Sequence, residues 1–318
     1  LCINHKKERK RIMKIAVIGT GAMGMLFGAC LADGGEDVTM VTAGRKETEE
    51  AIRLHGIHML WDEKDIYVKV RTAMAGSLHE QFDLVILFTK AQDSAAVLEK
   101  CRDMTGSDTY LMTLQNGLGN VERAGKFVPH DHIICGALTM PGSVTGPGEI
   151  KTMGTDRKAY IGMADEKDCT FLHEVCGVMN ACGLTAEITD DVYSVIWGKA
   201  ALNSGFNPVS ALTRLPQSRF CEVGDGEKLV FDIMEETLGL AEKLGVNVDR
   251  EAAFARARTI MVTHKGHFPS MAQDIMNGRR TEIDCLNGEI VRRARAAGYP
   301  VPRNETVCTL VRLLERNF

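Results

Sequence analysis

KIAVIGTGAMG, residues 14–24, decides the fold. Ile15-Ala16-Val17-Ile18 is an unbroken apolar run, too short for a helix and stopped by glycine, so it reads as a strand buried on both faces. Gly19-Thr20-Gly21-Ala22-Met23-Gly24 follows at once, and AMGMLFGACLADGG then reads as a helix that ends in glycines. Gly19 permits the tight turn, Gly21 lets backbone approach a pyrophosphate, and Gly24 allows the helix to pack closely on the strand. The anion would sit on the free N–H groups of the helix N-terminus, where the dipole favours negative charge. A glycine-rich turn without a ligand is the alternative; its place after the first strand favours a dinucleotide site built from Gly19, Thr20, Gly21, Ala22, Met23 and Gly24.

Outward from that loop, short apolar runs alternate with helical stretches. DVTMVT (37–42), DLVILFT (83–89), YLMTLQ (110–115) and HIICGALT (132–139) read as strands, and AYIG and LTAEI complete the series near residues 159–188. IHMLW and IYVKV, around 57–70, read as two strands joined by the charged turn DEKD. After about residue 190 helical patterns take over, at 191–206, 225–244, 249–264, 282–297 and 304–316. The sequence therefore predicts an α/β chain: an N-terminal Rossmann-type, doubly wound, mainly parallel sheet followed by an all-helical C-terminal domain. The expected division is 13–189 for dinucleotide binding and 190–318 for substrate and catalysis. PGSVTGPGEI (141–150) reads either as a loop near the cleft or as a connection between strands.

Composition agrees with that size and class. The chain has 318 residues, enough for two domains, and 45% hydrophobic content, enough for a core. A net charge of -4 gives no broad attraction to nucleic acid or acidic membranes. No apolar run approaches the length of a membrane span. Ten cysteines contain no C-x-x-C pair, and Cys169, Cys176 and Cys182 lack zinc-site spacing. The expectation is reduced, mostly buried thiols, a cytoplasmic location and no metal. LCINHKKERKRI (1–12) reads as a disordered basic extension, or an upstream start, ahead of a natural beginning at Met13, with a nuclear-type or nucleic-acid-binding tail as the alternative.

Two features point to chemistry. The second strand ends Val41-Thr42-Ala43-Gly44-Arg45-Lys46, with no acid at its tip to take ribose hydroxyls. Cations beyond it suit a 2′-phosphate, so NADP(H) is favoured over NAD, with Arg45 as its contact. The second feature is WGKAALNSGFNP (197–208), where Lys199, Asn203 and Asn207 recur every four residues on one face of an apolar helix. Burying such groups unpaired is unfavourable, so the stripe is either solvated or faces a polar partner. Pro208 disfavours helical geometry at Asn207, which places a bend or an end there, with Asn207 as a terminal cap in the solvated alternative.

KIAVIGTGAMG, LFTKAQD, LQNGLGN, WGKAALNSGFNP and SMAQDIMNGRRTEIDCLNG, with RRARAAGYPVPRN after them, together resemble the ketopantoate reductase (2-dehydropantoate 2-reductase) family from about residue 13 to 316. The resemblance implies an active site in the cleft between a Rossmann and a helical domain. It implies that Lys90 and Asn116 contact the nicotinamide end, with Asn116 also bordering the substrate. Lys199 would be the general acid, Asn203 and Asn207 would bind the substrate's hydroxyl and carboxylate end, and Ser270 would add a carboxylate hydrogen bond. Glu282 would hold cofactor or substrate hydroxyls near Lys199 and act with it in catalysis. The implied activity is NADPH-dependent reduction of 2-dehydropantoate to pantoate, toward coenzyme A. The partner would be a small 2-keto acid rather than nucleic acid or membrane, and a homodimer is compatible with this.

Plainer roles stand beside these. Lys90 could face solvent, Ser270 could cap the helix MAQDIMNG, and Asp274 could be a surface acid. Thr281 and Asp284 could form a capping-box-like helix start around Glu282. His264 and His267 read as loop residues, and His130 and His132 as turn and strand-edge residues. Gly44-Arg45 departs from the arginine often found at the strand tip, and PQSRF replaces a small glycine turn after Ala211-Leu212. The alternatives in function are an NAD-dependent 2-hydroxyacid dehydrogenase acting on another branched or aromatic 2-keto acid, and a nucleotide-binding sensor without turnover.

Overall fold

The computed structural model describes residues 11–152 and 158–318. The basic run at the start of the chain lies almost wholly outside the described residues. The strands are β1 (Lys14–Ile18), β2 (Asp37–Thr42), β3 (Ile57–Trp61), β4 (Lys64–Val68), β5 (Arg71–Met74), β6 (Leu84–Leu87), β7 (Tyr110–Thr113), β8 (Ile133–Leu138), β9 (Ser143–Gly146), β10 (Glu149–Thr152), β11 (Ala159–Met163) and β12 (Ala186–Ile188). Among them run helices α1 (Ala22–Asp33), α2 (Lys46–His55), α3 (Ser94–Lys100), α4 (Asn120–Ala124) and α5 (Thr170–Ala181). The remainder is helical: α6 (Val192–Thr213), α7 (Gly224–Lys243), α8 (Arg250–Thr263), α9 (Ser270–Met276), α10 (Asn287–Ala297) and α11 (Pro302–Leu314).

The main sheet has the order β12-β11-β8-β7-β6-β1-β2-β5. Every neighbouring pair is parallel except β11 with β8. β6 and β8 are buried along their whole length, as strands covered on both faces must be. The chain leaves β1 for β2 on one side and returns to β6 on the other. The crevice beyond the ends of β1 and β6 is therefore the topological switch point, where open α/β sheets bind ligands.

Residues 57–68 and 141–152 depart from the expected series. β3 and β4 form the expected hairpin, but it joins a separate four-stranded sheet of order β4-β3-β10-β9. PGSVTGPGEI supplies the antiparallel pair β9–β10, and β10 runs parallel to β3. Met59 and Ile150 bring this small sheet into the same core as Phe27 of α1.

α6 is the other departure. It neither ends nor is capped at Asn207; it continues through Pro208 to Thr213. Pro208 has no N–H for the carbonyl of Ser204 one turn earlier. Asn287 Nδ2 donates to that carbonyl instead, at 3.0 Å. Gly205 lets α7 close on the same turn, since a Cβ there would lie 2.9 Å from the Val230 carbonyl oxygen.

Candidate active site

The glycine loop is built by close approach. Gly19 has φ +113°, and a Cβ on it would lie 2.7 Å from the Phe88 carbonyl carbon. A Cβ on Gly24 would lie 1.9 Å from the Gly19 carbonyl oxygen. Gly21, by contrast, faces open space. It is the N-cap of α1, whose first turn holds no acid and receives no side-chain cap. The free N–H groups there and the space beside Gly21 fit a pyrophosphate. β2 ends at Thr42, and Arg45 is the exposed residue that opens α2, beside exposed Lys46. Arg45 makes no ion pair with another described residue, although Glu47 and Glu49 share the first turn of α2.

A cleft of about 220 Å³ opens beside the loop. Met23, the segment Phe88-Thr89-Lys90 after β6, and Gln115-Asn116 after β7 form one side. Lys199 on α6 and Glu282, between α9 and α10, form the other. The structure thus brings Met23, Lys90, Asn116, Lys199 and Glu282 together. Asn203 and Asn207 lie one and two turns further along α6, with Asn207 only 4% exposed, and neither lines this cleft. Ser270 is exposed at the start of α9 and does not line it either; Pro269 rather than Ser270 is the N-cap residue. His264 and His267 follow the end of α8, away from the cleft lining. A separate cavity of about 170 Å³, lined in part by Trp197 and Arg293, contains none of the expected site residues.

Lys199, Asn203 and Asn207 make no side-chain hydrogen bond or ion pair with other described residues. Burial drives the Lys199 ammonium down to about 8, against an upward pull from the Glu282 carboxylate. Burial also raises Glu282 above the usual carboxylate range, while the Ala91 N–H, which donates to its Oε1 at 3.1 Å, and the cations Lys90 and Lys199 pull it back. The Thr281–Asp284 stretch does not open a helix, because α10 begins at Asn287; Thr281 is instead tied to the Glu315 carboxylate at 2.6 Å.

Lys90 does not point into free solvent. Its ammonium donates to Asp274 Oδ2 at 3.0 Å and to the Arg280 carbonyl at 2.5 Å. Asp274 is not an isolated surface acid: only 14% of its side chain is exposed, and its other oxygen accepts from Arg279 at 3.0 Å. Gln115 carries no local sequence signature of a site role beyond its place next to Asn116 in LQNG. Its Nε2 donates to the Thr89 carbonyl at 2.5 Å and to Ser94 Oγ at 2.9 Å, which braces the segments on either side of Asn116 and Lys90.

These features belong to a cleft with an ammonium unpartnered among the described residues, a nearby carboxyl and an uncapped helix start beside open space. Residues 15–166 match the family model described as Ketopantoate reductase PanE/ApbA, and residues 191–315 match its C-terminal counterpart. The chain belongs to the ketopantoate reductase family. It is an oxidoreductase. It is 30% identical to the 2-dehydropantoate 2-reductase of Pyrococcus abyssi over 94% of this chain and 97% of that one. It superposes on a ketopantoate reductase from Ralstonia eutropha JMP134 with a TM-score of 0.88 and 30% identity, covering 96% of this chain and 99% of the other. A D-mandelate dehydrogenase solved with NADH and anilino(oxo)acetate matches with a TM-score of 0.91 and 28% identity, over the same shares. Among the described residues no helix is long and apolar enough to cross a membrane.

Proposed function

We propose that the chain reduces 2-dehydropantoate to pantoate with NADPH, with residues 13–189 binding the cofactor and 190–318 the substrate. The observation that carries this reading is the Lys199 ammonium: unpartnered among the described residues, facing the cleft between the ends of β6 and β7, and kept protonated in part by Glu282. NADPH, when bound, supplies the hydride. The backbone of Gly19–Gly24 and the start of α1 hold the pyrophosphate, and Arg45 pairs with the 2′-phosphate. Asn116 orients the nicotinamide end, together with Lys90, which takes its position from Asp274.

Reduction of a 2-keto acid builds negative charge on the ketone oxygen. Lys199 donates a hydrogen bond to that oxygen and then its proton. Asn203 and Asn207, beyond the cleft lining on α6, would bind the hydroxyl and carboxylate end, and Ser270 would add a hydrogen bond to the carboxylate; these contacts require the substrate to extend past the cleft toward α9. Glu282 holds hydroxyl groups near Lys199 and sustains its charge. The test is loss of reduced-nicotinamide absorbance with ketopantoate and a panel of 2-keto acids, with NADPH and NADH compared. A preference for ketopantoate and NADPH is expected.

A second reading is favoured by the likeness to the D-mandelate dehydrogenase and by the strand tip, which offers Thr42 where an arginine is common. In it the same residues reduce a branched or aromatic 2-keto acid with NADH, and the panel would show that acid as the faster substrate.

A further inference from the structure

We infer that Asn287 is a positioning residue that sets the turn of α6 after Lys199, which carries Asn203 and Asn207, by standing in for the N–H that Pro208 lacks. An interior proline leaves the carbonyl one turn back without its helical donor. In α6 that carbonyl belongs to Ser204, which lies between Asn203 and Asn207 and is fully buried, so water does not replace the lost bond. Asn287 Nδ2 donates to it at 3.0 Å and to Asn304 Oδ1 at 3.0 Å. Asn304 in turn donates from Nδ2 to Glu236 at 2.9 Å and to the Ile233 carbonyl at 3.1 Å. The Glu236 carboxylate also accepts the backbone N–H groups of Arg303 and Asn304, each at 2.9 Å.

The direction of this chain is fixed by its chemistry. Both contacts of Asn287 Nδ2 are acceptors, so a flipped amide would set oxygen against oxygen twice. Asn287 Oδ1 is left without a partner among the described residues, which is the cost of that orientation. Asn287 and Asn304 are fully buried, and neither touches the cleft. A hydrogen-bonded path therefore links the α6 carbonyl that the proline frees, through Asn287 of α10 and Asn304 of α11, to the Glu236 carboxylate of α7, which accepts at its end. What it holds still is the turn carrying Asn203 and Asn207. The role in turnover rests on the proposed 2-keto acid chemistry; the role in the helix does not.

The test is a double-mutant cycle of Asn287→Ala with Pro208→Ala, since alanine in place of Pro208 restores the helical N–H. Asn287→Ala orphans two buried acceptors, the Ser204 carbonyl and Asn304 Oδ1, of which only the first belongs to α6. With Pro208 intact, loss of that first bond should raise KM for the keto acid about tenfold. The same change should leave the dissociation constant for NADPH within about twofold, because the glycine loop lies on another element. In the Pro208→Ala background, Asn287→Ala should cost less than about threefold. Equal losses in both backgrounds, or an equal loss of NADPH affinity, would overturn the inference. Amide exchange across residues 203–213 in the same four proteins gives a readout free of turnover. Faster exchange in Asn287→Ala, corrected by Pro208→Ala, upholds the relay even if the wild type reduces no 2-keto acid, an outcome that would sink the functional reading alone. Unchanged exchange overturns the relay. If Asn287→Ala does not fold, Asn287→Ser, which cannot reach both acceptors, takes its place in the cycle.

Discussion

At the scale of single residues, the proposed chemistry turns on how Lys199 keeps its proton. Burial lowers its pKa to about 8, and the Glu282 carboxylate is the group that opposes the fall. A general acid works in its protonated form, so kcat for ketone reduction should hold below that value and decline as pH rises through about 8. Glu282→Gln removes the opposing charge, so the decline should move to lower pH; a pH–kcat profile with an unmoved limb would separate Glu282 from this task. Lys199→Ala should lower kcat by about 10²- to 10⁴-fold while NADPH still binds, as followed by nicotinamide fluorescence. Arg45→Ala should raise KM for NADPH about tenfold or more and leave KM for NADH near its starting value, because only the former loses a charge-assisted contact.

At the scale of elements, the glycine loop offers an internal control. Gly24→Ala drives a methyl to 1.9 Å from a backbone oxygen, so strand and helix must separate. A cost of about 1–3 kcal/mol in unfolding free energy is expected, measured by urea denaturation. Gly21→Ala meets no protein atom, so the fold should keep its stability. Its methyl would occupy the approach to the pyrophosphate, and KM for the cofactor should rise. Equal behaviour of the two variants in both assays would refute the division of roles.

The same scale shows why some elements were legible in the sequence and others were not. β1, β6 and β8 announce themselves because strands covered on both faces need unbroken apolar runs. The β3–β10 pairing leaves no such mark: it joins His58 to Glu149 across some ninety residues, and nothing local to either strand records it. The continuation of α6 past Pro208 is hidden for the same reason, since Asn287, which replaces the missing donor, is remote in sequence. Lys199 and Glu282 could be read from resemblance, whereas Asp274 and Gln115 matter through contacts that only folding creates.

At the scale of the whole molecule, the cleft is one of the places where the two halves of the chain are fastened. Lys90 and Ala91 follow a strand of the main sheet, and both bond to the 274–282 segment of the helical half, through Asp274, the Arg280 carbonyl and Glu282. The same segment therefore carries a proposed active-site carboxylate and the fastening. On the proposed roles, substrate binding, cofactor binding and the mutual placement of the halves are coupled through this segment. Asp274→Asn keeps the shape and an acceptor but removes the charge that holds both Lys90 and Arg279. Lys90 is a third exposed, so solvent screens the pair, and a stability loss of about 1 kcal/mol is expected from thermal melts. The larger effect should appear in KM for NADPH, because Lys90 loses the partner that places it, with kcat changed less. Lys90→Ala should make the Asp274→Asn change nearly silent in KM, as expected of two residues acting through one contact. Additive effects in that cycle would show that Asp274 acts on the cofactor by some route other than Lys90.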